Sequence, residues 1–164
     1  MLKEILNKKK SLIVRSWTEL IFNSYPAEAV NFLSTKKNQF SNPIGFTVTA
    51  NAEKIFDELI NECDFEKIRI LLDDIIRIRA VQSFSPSQAV YFLLDLKKVI
   101  RDECKIELSD KNVSDELSDF ELLIDKMLII GFELYMEARE KVFKIRVGEI
   151  KSRSIKALES AEEN

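Results

Sequence analysis

Apolar positions recur three and four residues apart along almost the whole chain, the period of an amphipathic helix. In residues 2 to 23, Leu2, Ile5, Leu6, Leu12, Ile13, Trp17, Leu20 and Ile21 make one stripe. It stops at Tyr25-Pro26, because the residue before a proline is driven out of the helical region. Pro26 suits the first helical position of a short segment, PAEAVNFLS. KKNQFSNPIGFTVTAN, residues 36 to 51, holds Asn42-Pro43 and Gly45, the strongest turn signals present. It predicts an ordered loop pinned by Phe40, Ile44 and Phe46. Helical spacing resumes from about Thr49 to Glu62, with Ile55, Phe56, Leu59 and Ile60 on one side. Asp64 is then placed to cap a helix running through Ile68, Leu72, Ile75, Ile76 and Ala80.

The sequence IRIRAVQSFSPSQAVYFLLDLKK, residues 76 to 98, is helical on both sides of a proline. Ser85 suits an N-cap, Pro86 the first helical position, and Gln88 stands three residues after the cap, which together make a capping box. The proline therefore starts a helix after a sharp corner. The new helix carries Ala89, Phe92, Leu93, Leu96, Val99, Ile100 and Cys104 as far as about residue 105. A polar connection, KIELSDKNVSDE, follows, and Ser114 or Asp115 opens a last helix reaching about Leu158. Its stripe includes Leu117, Phe120, Ile124, Met127, Gly131, Leu134, Tyr135, Val142 and Ile145, and thins past Val147.

Composition agrees with this reading. Only three glycines and three prolines occur in 164 residues, too few turns for a strand-rich fold. The expectation is an all-α domain over 1–147 with a projecting C-terminal helix or tail over 148–164. Net charge is −3, so no basic excess exists to hold a phosphate backbone. The run Lys8-Lys9-Lys10 reads as a solvated face. No leader or membrane span is expected, and Cys63 and Cys104, outside any paired spacing, read as small core residues of a reducing compartment. The expected location is the cytoplasm.

The composition contains no histidine, and that constrains chemistry most. Serine or cysteine nucleophiles with an imidazole base cannot be built. The Glu-x-x-His diiron signature, the usual zinc sets and a proximal haem ligand fail likewise. Acidic pairs such as Asp73-Asp74 have ordinary explanations: Asp73 precedes Arg77, and Glu137 precedes Lys141, by four residues. No catalytic, metal-ligating or cofactor-binding set is predicted, and no nucleic-acid or membrane partner.

Arg77, Arg79, Gln82, Ser83, Ser85, Pro86, Ser87 and Gln88 gather at the corner. They could form a polar mouth or partner surface. Alternatively Ser85 and Gln88 cap while an arginine or Gln82 satisfies carbonyls at the turn, the reading favoured here. The last two helices carry more apolar positions than one buried face can use, which points to a homodimer.

Three motifs, W17…Y25-P26, F40-S-N42-P43-I-G45 and I78-R79-A80-V81-Q82-S-F84-S-P86-S87-Q88-A89, stand in the order and spacing of a known family. Over roughly residues 10 to 145 the chain resembles the N-terminal domain of the RsbT co-antagonist proteins (the RsbR group). The resemblance implies a haem-free, globin-like sensor domain of a bacterial stress-signalling assembly, the stressosome, dimerising through helices. In such proteins a further helix leads to a phosphorylatable STAS domain that holds the RsbT kinase. The residues to Asn164 contain no STAS domain, so this copy is expected to stand alone and signal through a partner. Asn42 and Pro43 join the corner residues as candidate partner surface.

The expected function is regulatory and non-enzymatic: a signal alters packing at the corner or in the helix after it, and the final helix carries it on. The alternatives are an adaptor of a redox or membrane complex, and a carrier of a small apolar ligand held by Trp17, Phe22, Phe40, Phe92, Phe120 and Tyr135.

Overall fold

The computed structural model describes residues 1–35, 38–82 and 84–162. Among them are α1 (Leu2–Asn23), α2 (Ala27–Thr35), α3 (Pro43–Ile60), α4 (Phe65–Val81), α5 (Pro86–Glu103) and α6 (Lys111–Glu162), with a 3-10 turn at Glu107–Ser109 and no strand. The helices pack as a bundle whose main contacts form a ring: α1 lies on α3, α3 on α4, α4 on α6, α6 on α5, and α5 on α1. The short α2 rests against α1 and α3. Trp17, Ile55, Phe56, Ile68, Leu72, Ile76, Phe92 and Ile124 fill the interior. The buried indole of Trp17 stacks on Phe92, with centroids 6.1 Å apart, and donates from Nε1 to the Phe92 carbonyl at 2.7 Å. It thereby ties α1 to α5.

α6 is 52 residues long, about 78 Å at a rise near 1.5 Å per residue. Its buried positions run from Val113 to Ala138. It crosses α5 closely at Gly131, where a side-chain Cβ would meet Leu93 at 3.1 Å. Arg101 holds Glu121 with two nitrogens at 2.6 and 2.7 Å, and Lys97 holds Asp125 at 2.5 Å, so the two helices run antiparallel. On the other flank Arg69 of α4 reaches Glu133 and Glu137 at 3.1 and 2.9 Å. From Gly148 to Glu162 every residue is exposed.

The expected loop over 36–51 is corrected. α3 begins at Pro43, six residues before the predicted Thr49, because Asn42 accepts from the Gly45 amide at 2.8 Å and Pro43 fills the first turn. This is the N-cap-plus-proline signature already read at Ser85-Pro86, masked by β-branched residues of low helix propensity that packing overrides. Phe40 pins nothing, being 94% exposed. Lys36 and Lys37 lie outside the described residues.

Other boundaries move less. α3 stops at Ile60, short of Glu62, and α6 opens at Lys111, where Asp110 accepts from the Asn112 amide, not at Ser114 or Asp115. Of the two cysteines expected in the core, Cys104 is fully buried, whereas Cys63 sits half-buried in the α3–α4 turn at φ 53°. The Lys8–Lys10 run is only partly a solvated face, since Lys9 pairs with Glu107 and Lys10 with Asp57, each at 2.7 Å. Glu137 pairs with Arg69 across helices, not with Lys141. Leu12 and Ile145 fall outside the buried stripes and are exposed.

Candidate functional site

Arg79 occupies the buried face of α4. It follows Leu72, Ile75 and Ile76 at helical spacing and has no exposed surface. Its Nη2 donates to the Ile21 carbonyl at 3.3 Å and to Ser24 Oγ at 2.7 Å, both at the end of α1. Its Nη1 donates to the Gln88 carbonyl at 3.1 Å, in the first turn of α5. One side chain therefore ties the ends of three helices.

Among the described residues no carboxylate lies within ion-pair distance of Arg79. The cation is instead surrounded by aromatic faces: Tyr25, Phe84 and Phe92 have their centroids 5.1, 4.9 and 5.0 Å from its central carbon. Such contacts suit a planar, weakly hydrated guanidinium better than an ammonium. Burial still disfavours the charge and lowers the Arg79 pKa, and burial likewise pushes the Tyr25 phenol up. Among the described residues, Arg79 Nε and Tyr25 Oη are buried without a hydrogen-bond partner.

The corner also grips α6. Tyr135 donates from its hydroxyl to the Phe84 carbonyl, and Arg139 Nη1 donates to the Ala80 carbonyl at 3.1 Å. Both anchors lie where the buried stretch of α6 ends, so the corner meets this helix at its point of departure.

The corner residues predicted from sequence divide into distinct groups. Arg79 forms the buried tie. Ser85 and Gln88 form the predicted capping box, with Ser85 Oγ accepting from the Gln88 amide at 3.3 Å and Gln88 Oε1 from the Ser85 amide at 3.0 Å. Gln82 closes the end of α4, and Pro86 and Ser87 are exposed in the first turn of α5. Arg77 is exposed and binds Asp73 of its own helix. Ser83 lies outside the described residues.

Asn42 and Pro43 form a separate joint between α2 and α3. Buried Asn42 donates from Nδ2 to the Phe32 and Leu33 carbonyls at 3.2 and 2.9 Å while capping α3. Gly45 makes this approach possible, since a Cβ there would meet the Leu33 carbonyl oxygen at 2.6 Å.

Sequence reasoning missed Ser24, Tyr135 and Arg139 as parts of the corner, although a cation at Arg79 on an otherwise apolar stripe was a legible signal for the tie. The proposed aromatic pocket is also revised. Trp17, Phe92, Phe120 and Tyr135 are packed in the core, and Phe40 faces solvent. Among the described residues no helix is long and apolar enough to cross a membrane.

Residues 12–147 match the family described as the RsbT co-antagonist protein RsbRD N-terminal domain. An uncharacterized protein of Archaeoglobus fulgidus is 24% identical over 151 residues, covering 88% of this chain and 85% of its own length. No solved structure matches the chain.

Proposed function

The chain belongs to the RsbT co-antagonist RsbRD N-terminal domain family, and on that premise we propose that it is a non-enzymatic, haem-free, globin-like regulatory domain acting through protein–protein contacts in stress signalling. It works in the cytoplasm as a homodimer. Residues 1–147 form the sensing body, and 148–164 carry its state to a partner that supplies the output.

One observation carries this reading. Leu122, Ile129, Met136, Phe143 and Ile150 recur at seven-residue intervals on α6, and each is between 50% and 66% exposed. Monomeric proteins rarely leave an apolar line of this length to solvent. A strict seven-residue repeat is the pattern by which a helix keeps one seam against a partner helix. The line runs from the packed part of α6 into its exposed end, so a contact made along the body continues into the segment offered to a partner.

The Tyr135 and Arg139 anchors support a route for the signal. A change in packing around Phe84 or Arg79 alters the two hydrogen bonds that hold α6 where it departs. The corner residues Gln82, Ser85, Pro86, Ser87 and Gln88 are exposed and available to a partner.

Size-exclusion chromatography with light scattering tests the dimer. The wild-type chain elutes at twice its monomer mass, and Met136→Glu, which buries no charge in the monomer, shifts it to monomer with unchanged helix content. A monomeric wild type at high concentration refutes the proposal.

A further inference from the structure

A groove of about 790 Å³ lies between α1 and α3 and is closed at one end by α2. That volume falls within the roughly 300–1,000 Å³ of small-molecule sites. It follows α1 from Lys10 to Phe22, about 18 Å along the helix axis. Lys10 pairs with Glu53 at 3.2 Å, so α1 and α3 run antiparallel along it, and the opposite end meets the Asn42–Gly45 joint with α2. Val14, Phe22, Leu33, Phe46 and Ala50 supply an apolar floor, and Phe46 is still 41% exposed.

The charges on the rim decide what can bind. Lys10 is bound by Asp57 at 2.7 Å as well as by Glu53, and Arg15 is bound by Glu19 at 3.1 Å. Among the described residues, each lining cation is therefore already paired with a carboxylate of the chain. An anionic head would have to displace these acids, and a cationic head would have to displace the bases. Ser11 and Thr49 add exposed hydroxyls to the rim. We propose that this groove binds an uncharged, single-chain amphiphile, with its alkyl chain on the apolar floor and a hydroxyl-type head at the Ser11 end. The proposal is independent of dimerisation and signalling, because the groove involves neither α6 nor the α4–α5 corner.

The experiment uses the full chain and Nile red, an uncharged fluorescent probe, displaced in turn by dodecanol, dodecanoate and dodecylamine. Dodecanol should displace the probe at concentrations about tenfold lower than either charged analogue. Ala50→Phe fills the floor and Ser11→Phe the rim. Each should weaken probe binding at least about tenfold, with circular dichroism and oligomeric state unchanged. If Ala50→Phe fails to fold, the exposed Ser11→Phe decides alone. Absence of saturable binding, displacement by dodecanoate as readily as by dodecanol, or binding indifferent to the variants would each overturn the proposal. So would a change of oligomeric state in Ser11→Phe, which would make the groove a contact between copies.

Discussion

A fully buried guanidinium without a carboxylate is expensive to desolvate, and at Arg79 the cost is met by three acceptors and three aromatic rings. Removing the cation takes one donor each from Ser24 Oγ and the Ile21 and Gln88 carbonyls and opens a void among the three rings, although Ile21 still accepts from the Ser24 amide and hydroxyl. Arg79→Ala should therefore lose about 2–5 kcal/mol of unfolding free energy in urea titration. Arg79→Lys should recover little, because a single ammonium cannot span Ile21, Ser24 and Gln88 or lie flat among the rings. A loss below about 1 kcal/mol in Arg79→Ala would mean that the three helix ends are held by packing alone.

At the level of elements, the joint between α2 and α3 depends on close backbone approach. Gly45→Ala places a Cβ against the Leu33 carbonyl, which is backbone and cannot swing aside, and against the Asn42 amide that caps α3. The expected destabilisation is about 1–3 kcal/mol, read as a lowered melting temperature. Neutral behaviour would show that α2 is free to retreat from α3. The same joint shows how legible the sequence was. Ser85-Pro86-Ser87-Gln88 announced its helix because an apolar stripe at helical spacing followed at once. Asn42-Pro43-Ile44-Gly45 carries the same cap and proline, but Gly45 and the β-branched Thr47, Val48 and Thr49 argued for an extended loop. Only contact with the end of α2 reveals that Gly45 serves a tight crossing and not a turn. Arg79 was visible as a cation on an apolar stripe, whereas its acceptors, distant backbone carbonyls, leave no trace in residue type. The outer line from Leu122 to Ile150 was sensed as excess apolar character, but its seven-residue interval is clear only once the inner face of α6 is assigned.

On the scale of the molecule, the opening of α6 is held to α1 by two carboxylates. Glu107 receives Lys9 at 2.7 Å, and Glu116 accepts the Leu2 backbone amide at 2.7 Å. The Lys9 contact holds the Glu107 carboxyl below its ordinary value near 4.5, and the Leu2 amide does the same for Glu116. A carboxyl that is a stronger acid in the folded chain than in the unfolded one stabilises the fold above its unfolded pKa. That contribution fades as pH falls through the folded value. Melting temperature should therefore decline as pH is lowered below about 4.5, and part of the decline belongs to these two groups. In Glu107→Gln/Glu116→Gln the charge-dependent part is already lost at neutral pH, so the variant should start lower and fall less steeply over the same acid range. Parallel acid profiles for wild type and variant would assign the acid sensitivity to other carboxylates, such as those α6 offers to Arg69, Lys97 and Arg101. Because Glu107 and Glu116 flank the start of α6 while Tyr135 and Arg139 grip it near its departure from the body, the two ends of the packed segment are secured by different chemistry. Acid should loosen the first through Glu107 and Glu116. It should loosen the second only through the Arg69 pairs with Glu133 and Glu137, since the Tyr135 and Arg139 hydrogen bonds involve no carboxylate. Amide exchange along α6 would resolve this difference residue by residue.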